Sequence, residues 1–152
     1  MDILDEIGRI LRKYSNKPKA NIEPVKSFKY KWTPYGARFH IDGIQFDLTP
    51  QPARALVILA ADITDGGSGL VAFKSAKAVC KWLHGENPEV VEPHSVETLI
   101  WRLRDVLFTH GLSRDLIESH RGKGYRLKIE KDQPFTPRLK PDQPFWGDRL
   151  AH

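Results

Sequence analysis

The sequence predicts a mixed α+β domain in which three helices form the core, short antiparallel strands precede them and a β-hairpin follows them. Apolar residues alternate as in strands over residues 28–48. In three stretches between residues 49 and 111 they recur every three or four positions, as in amphipathic helices. Alternation returns over residues 116–129, on both sides of a turn that contains glycine. One domain that combines both kinds of element is therefore expected.

The composition favours a soluble protein with an acidic partner. Lysine and arginine number 24 against 19 acidic residues, and the formal charge of +5 suits nucleic acid or anionic lipid. The single cysteine, Cys80, excludes an intramolecular disulfide. No apolar run is long enough to span a membrane, and the N-terminus lacks the order of a signal peptide. We therefore expect a cytoplasmic protein with no membrane partner.

Three strands are predicted before the helices. Their alternating apolar residues are Phe28, Tyr30 and Trp32, then Phe39 and Ile41, then Ile44, Phe46 and Leu48. Asp42–Gly43 is the type of dipeptide that forms a tight hairpin turn, so it should join the second and third strands.

Two helices are predicted next. Thr49 is the candidate N-cap of the first helix, which has prolines in its first turn and runs to about Ile63. The second helix is predicted from about Phe73 to Leu83, with Cys80 on its apolar side as a small core residue.

The third helix has the most regular pattern, and Gly111 ends it. One stripe is apolar and should face the core: Val96, Ile100, Leu103 and Leu107. The opposite side carries His94, Thr98, Trp101, Arg102 and Asp105. Arg102 should therefore point to solvent, where a guanidinium can donate two hydrogen bonds to guanine, unless Asp105 pairs with it.

These parts, in this order, are those of a winged helix-turn-helix domain. The segments FDLTPQPARAL (46–56), VETLIWRLRDVL (96–107) and IESHRGKGYRL (117–127) resemble the DNA-binding effector domain of OmpR/PhoB-type response regulators. The resemblance covers residues 36–129 and keeps three motifs in order. The residues before Gly36 are too few for a receiver domain, so we expect no control by a receiver in the same chain.

The resemblance implies that the third helix lies in the major groove of double-stranded DNA and that the hairpin is a wing in the minor groove. It places Arg102 at a base-contacting position, Arg104 at a phosphate and Arg121 at the tip of the wing. Arg126 and Lys128 are further candidates for phosphate contacts. The predicted DNA-binding residues are His94, Ser95, Thr98, Trp101, Arg102, Arg104, Ser119, Arg121 and Lys123.

Some positions depart from the family pattern. Leu99 and Trp101 stand where the family often has basic residues or histidine, and His94 stands where it usually has arginine. Trp101 is equally suited to touch a thymine methyl group, to pack on the wing or to bind a partner. A rival hypothesis follows, in which the domain is a protein-interaction module with Leu99 and Trp101 on its docking surface.

The segments outside residues 36–130 are predicted to be accessory. Residues 1–35 contain an amphipathic helix over 2–14, which should dock on its own domain or form a homodimer, and a linker. Residues 131–152 are rich in proline, repeat the letters DQPF, and are predicted to be largely disordered, so that deleting them leaves thermal stability almost unchanged.

Catalysis is not expected from this sequence. The histidines are scattered without the close spacing of zinc ligands, and no nucleophile motif is present. The turn around Gly122–Gly124 lacks the full glycine pattern of a phosphate loop. We therefore expect a transcription regulator with no cofactor and no metal. By the resemblance, its Glu86–Pro93 loop is a possible contact for RNA polymerase.

Overall fold

The computed structural model describes residues 22–64, 66–84 and 93–140 of the chain. The predicted helix over 2–14, the Glu86–Glu92 part of the loop and the second DQPF sequence lie outside these residues, as does the side chain of His94. The described residues form a mixed α+β fold with three helices and two small antiparallel sheets.

The first sheet contains three strands in the order β1 (Phe28–Thr33), β2 (Gly36–Ile41) and β3 (Ile44–Leu48). Phe39 lies at its centre, opposite Tyr30 on one side and Phe46 on the other, and its ring stacks on both at centroid distances of 5.9 and 5.7 Å. The predicted strands are therefore confirmed, and the sheet packs one aromatic face against the core.

The predicted Asp42–Gly43 turn is confirmed, with both residues at positive φ (50° and 82°). The Asp42 carboxylate accepts hydrogen bonds from the amides of Lys26 and Ser27, at 2.7 and 2.9 Å. Val25 is buried, and its amide donates to the carbonyl of Lys128 at 2.8 Å. The folded unit therefore begins before the predicted boundary at residue 36.

The first helix, α1 (Pro50–Ala60), is the centre of the core. Every residue from Ala55 to Ala60 is buried, which is typical of a helix that is apolar on all sides. Thr49 occupies the N-cap position as predicted, although its side chain makes no capping hydrogen bond. The helix ends three residues before the predicted Ile63, because the chain turns into extended backbone at Ala61.

The second helix, α2 (Ala76–His84), begins later than the predicted Phe73. The residues before it are extended, and Lys74 pairs with Tyr125 through two backbone hydrogen bonds of 2.8 and 2.9 Å. The ring of Phe73 covers the guanidinium of Arg126 at 4.0 Å. Phe73 therefore has helical spacing in the sequence, but its ring packs on Arg126, a residue distant in the sequence, and is not part of a helix.

The third helix, α3 (Pro93–Thr109), buries the predicted stripe Val96, Ile100, Leu103 and Leu107 almost completely. Leu99 is also buried, with 6% of its surface exposed. The hypothesis that Leu99 forms part of an exposed docking surface is therefore wrong, because α3 turns this residue into the core.

A hairpin follows α3, with β4 (Ile117–His120) and β5 (Gly124–Leu127) paired antiparallel. Gly124 lies where β5 passes the segment before α2, at a φ of +113°. A Cβ atom at this position would lie 2.0 Å from the carbonyl oxygen of Lys74. Glycine is therefore required where the two backbones meet.

Residues 131–140 pack on the domain. The backbone beside Pro137 pairs with Asp62, whose amide donates to the Pro137 carbonyl at 2.8 Å and whose carbonyl accepts from Leu139 at 3.0 Å. Thr136 is buried, and Phe135 and Leu139 pack against the core. The prediction of a disordered tail is therefore wrong for residues 131–140. An extended proline-containing segment can pair at an edge without continuing into a sheet.

Lys74 is a buried cation that the sequence pattern did not single out. Only 1% of its surface is exposed, and its Nζ donates hydrogen bonds to the carbonyls of Leu59 (3.1 Å) and Ala61 at the end of α1. These carbonyls carry the partial negative charge of a helix C-terminus. Burial lowers the pKa of Lys74 to about 7, while the charge of Asp62 raises this pKa and that of Arg126 lowers it.

This lowered pKa predicts a pH dependence of stability. Between pH 7 and the ordinary lysine pKa of 10.5, the unfolded chain binds a proton that folded Lys74 has released. The free energy of unfolding should therefore rise with pH in this window, by up to about 1.4 kcal/mol per pH unit from this group. Lys74→Met lacks the titration and is the reference. Urea unfolding of both proteins from pH 7 to 10 should show that the free energy of unfolding rises more in the wild type than in the variant. A difference that does not change with pH would contradict the lowered pKa of Lys74.

Candidate nucleic-acid interface

The outer face of α3 carries several of the predicted DNA-binding residues. The side chains of Ser95, Thr98, Trp101 and Arg102 are all exposed there, opposite the buried stripe. Within the described part of the chain, the guanidinium of Arg102 makes no hydrogen bond or ion pair. Its donors are therefore available to a ligand.

Asp105 does not form the ion pair with Arg102 that its spacing on α3 allowed. Its carboxylate pairs instead with Arg114, from the short 3-10 helix that precedes β4, at 3.1 Å. The guanidinium of Arg114 also lies over the ring of Phe108, 4.0 Å from its centroid. Arg114 is nine residues further along the chain, so the pairing of Asp105 was not visible from the spacing on α3.

Trp101 remains 66% exposed. Among the described residues its indole makes no hydrogen bond and no ring contact. Most of the indole surface is therefore accessible to a base or to a partner.

Arg104 connects α3 to the hairpin. Its Nε and Nη2 atoms donate to the carbonyl oxygen of Ile117, at 3.2 and 2.8 Å, and the side chain is half-buried. Burial lowers the pKa of Arg104, which the charges of Asp115 and Tyr125 partly offset. The guanidinium expected at a DNA phosphate is thus bound to the first residue of β4, a role that the sequence did not indicate.

The turn between β4 and β5 presents exposed cations. Arg121 and Lys123 are exposed, and neither side chain forms an ion pair with the described residues. Gly122 lies between them at a φ of +86°, and the turn is closed by the amide of Lys123, which donates to the carbonyl of His120 at 2.9 Å. Ser119 is exposed on β4. The tip of the hairpin therefore carries two positive charges that are free to meet an anion.

Two other cations of the hairpin face inward. Arg126 pairs with Glu118 at 2.9 Å, donates to the carbonyl of Val71 at 3.1 Å and stacks on Phe73. Lys128 is buried. Both were predicted as phosphate contacts, and both predictions are wrong, because Arg126 is bound to the segment before α2 and Lys128 is withdrawn from solvent.

A shallow groove lies beside the hairpin and was missed from the sequence. Its lining combines aromatic, polar and basic groups: Ala72, Phe73, Glu118, Ser119, His120, Lys123 and Arg126. The groove forms only because residues 71–74 are extended beside β5, whereas the sequence pattern predicted the start of a helix at Phe73.

The structure thus gathers the predicted residues into two sets. Ser95, Thr98, Trp101 and Arg102 share the outer face of α3, while Ser119, Arg121 and Lys123 lie on the hairpin. Within residues 22–64, 66–84 and 93–140, no three or more histidine, cysteine, aspartate or glutamate residues are grouped as a metal site requires. None of the helices in the same residues is long and apolar enough to cross a membrane.

Comparisons with known families and curated proteins identify no relative of this chain. No family model matches the chain, and no curated protein matches it. Its function is therefore inferred from its residues and their geometry.

Proposed function

We propose that this chain is a sequence-specific double-stranded DNA-binding protein that regulates transcription, with a winged helix-turn-helix domain of the OmpR/PhoB effector type. In this proposal α3 lies in the major groove and the β4–β5 hairpin is the wing in the adjacent minor groove. The observation that carries it is the guanidinium of Arg102, which has no partner among the described residues and is exposed on a helix whose opposite side is buried.

The elements of the fold are compatible with the proposal. Three strands, three helices and a hairpin are compatible with this domain type, and Arg104 joins the base of the hairpin to α3. Arg121 and Lys123 are the hairpin cations that remain available for phosphate or the minor groove. Because Arg104, Arg126 and Lys128 are engaged within the fold, we propose few phosphate contacts and a correspondingly shallow salt dependence of binding.

The decisive experiment selects bound sequences from a random duplex pool and then tests Arg102→Ala on the enriched site. A bidentate contact between arginine and guanine is worth roughly 1 to 3 kcal/mol of discrimination. We therefore expect the variant to bind the selected site about tenfold more weakly or worse, and to lose its preference at one guanine. Titration of the selected and scrambled duplexes at several salt concentrations measures both effects.

Lys123→Ala is the matched control, because it removes a charge from the hairpin without touching α3. A phosphate contact should weaken both duplexes about equally and reduce the salt slope by roughly one unit. Arg121→Ala should also weaken binding if it anchors the wing. If Arg102→Ala binds both duplexes as the wild type does, the assignment of Arg102 to the major groove is wrong.

The second candidate is a protein-interaction module. The 66% exposure of Trp101 favours this candidate. The burial of Leu99 counts against it, because Leu99 was expected to form part of the docking surface together with Trp101. A failure to enrich any duplex from the random pool would favour this candidate.

A further inference from the structure

We propose that Trp101 recognises the methyl group of a thymine that lies close to the guanine bound by Arg102. The inference rests on the proposed DNA-binding function and specifies what its site contains. The chemical class of the ligand is a duplex that presents a guanine edge and a thymine methyl group within about two base pairs of each other in the major groove.

Trp101 is an exposed aromatic side chain on the outer face of α3, and the positions three and four residues from it are polar or charged, namely Glu97, Thr98, Arg104 and Asp105. Phe108, seven residues further along the helix, is also exposed, but the guanidinium of Arg114 covers its ring. The neighbours of Trp101 on the exposed face are polar, namely Thr98 and Arg102. Docking of another protein commonly uses a contiguous apolar patch of several hundred Å². A lone indole among polar groups suits a single methyl group better.

The position of Trp101 relates it to both the hairpin and Arg102. At about 100° per residue, Trp101 lies about 60° around the helix from Arg104 and about 100° from Arg102. Arg104 points to the hairpin, since it binds the carbonyl of Ile117. Trp101 therefore lies between the hairpin side of α3 and Arg102, and the thymine should be displaced from the guanine toward the hairpin.

The distances fit neighbouring base pairs. Consecutive Cα atoms are about 3.8 Å apart, and base pairs along one strand are about 3.4 Å apart. Adjacent residues on a helix in the groove can therefore contact bases one or two steps apart. The two contacts are chemically distinct, because guanine offers O6 and N7 to a guanidinium, whereas thymine offers a methyl group to an apolar surface.

The test replaces each thymine of the selected site, one at a time, by deoxyuridine, which removes only the methyl group. Burial of one such carbon group changes affinity by about fourfold. We expect one position at which deoxyuridine weakens binding of the wild type by about fourfold. Trp101→Ala should bind the thymine and deoxyuridine duplexes equally. Phe108→Ala is the matched control, another exposed aromatic residue of α3, and should keep the fourfold ratio.

A second duplex tests the methyl group in the opposite direction. With cytosine in place of the sensitive thymine, 5-methylcytosine should bind the wild type more tightly than cytosine by a similar factor, and should give no gain with Trp101→Ala. Melting curves should show all variants folded, since Trp101 and Phe108 are exposed.

The outcomes separate this inference from the proposed function. If Arg102→Ala loses its guanine preference but no thymine position responds to deoxyuridine, or Trp101→Ala keeps the fourfold ratio, the methyl contact is overturned and DNA binding stands. If no duplex is enriched from the random pool, both are overturned.

Discussion

Gly124→Ala should lower the free energy of unfolding by about 3 kcal/mol or more, the sum of backbone strain and lost hydrogen bonds. The new Cβ would lie 2.0 Å from the carbonyl oxygen of Lys74, which also accepts a hydrogen bond from the amide of Tyr125 at 2.9 Å. The two segments must separate to make room, and their paired hydrogen bonds are then broken. Urea unfolding monitored by circular dichroism measures the loss.

Gly122→Ala separates the steric effect from the backbone conformation. Gly122 also has a positive φ, of +86°, but a Cβ atom there meets nothing within 4 Å. This variant should lose only about 1 kcal/mol, the cost of the left-handed conformation for alanine. Equal losses in the two variants would show that the close approach to Lys74 contributes nothing to stability.

Removal of residues 131–140 should also have a large effect. A chain that ends at Glu130 loses the hydrogen bonds to Asp62 and the packing of Phe135 and Leu139 on the core. We expect a loss of about 3 kcal/mol relative to a chain that ends at Lys140, from several hydrogen bonds and two partly buried side chains. The melting temperature should fall by about 10 °C.

The two truncated chains are matched, because both lack residues 141–152. Their difference therefore reports only on the segment 131–140. Equal melting temperatures would show that this segment does not contribute to the fold and would restore the sequence-based prediction of an inert tail.

The regular elements could be predicted because their patterns are local. Val96, Ile100, Leu103 and Leu107 bury one side of α3, so the spacing alone placed Arg102 on the surface. The alternation in β1, β2 and β3 reflects one aromatic face, and the Asp42–Gly43 turn has a sequence typical of its geometry. In these places the local preference and the tertiary contacts agree.

The sequence could not predict which basic side chains are bound within the fold, because their partners are distant in the sequence. Arg104 binds the carbonyl of Ile117, and Arg126 binds that of Val71, 55 residues away. A backbone carbonyl can be provided by any residue type, so no pattern marks it as a partner. For the same reason the sequence did not predict the burial of Lys74 or the pairing of residues 131–140 with Asp62.

Lys74 connects the end of α1 to the base of the hairpin. Its Nζ atom donates to the carbonyls at the end of α1, while its backbone amide and carbonyl both form hydrogen bonds with the backbone of Tyr125. We expect the amide protons of Lys74 and Tyr125 to exchange with solvent when these contacts open together. We therefore expect the base of the hairpin to unfold in the same cooperative unit as α1 and to share its slow hydrogen exchange.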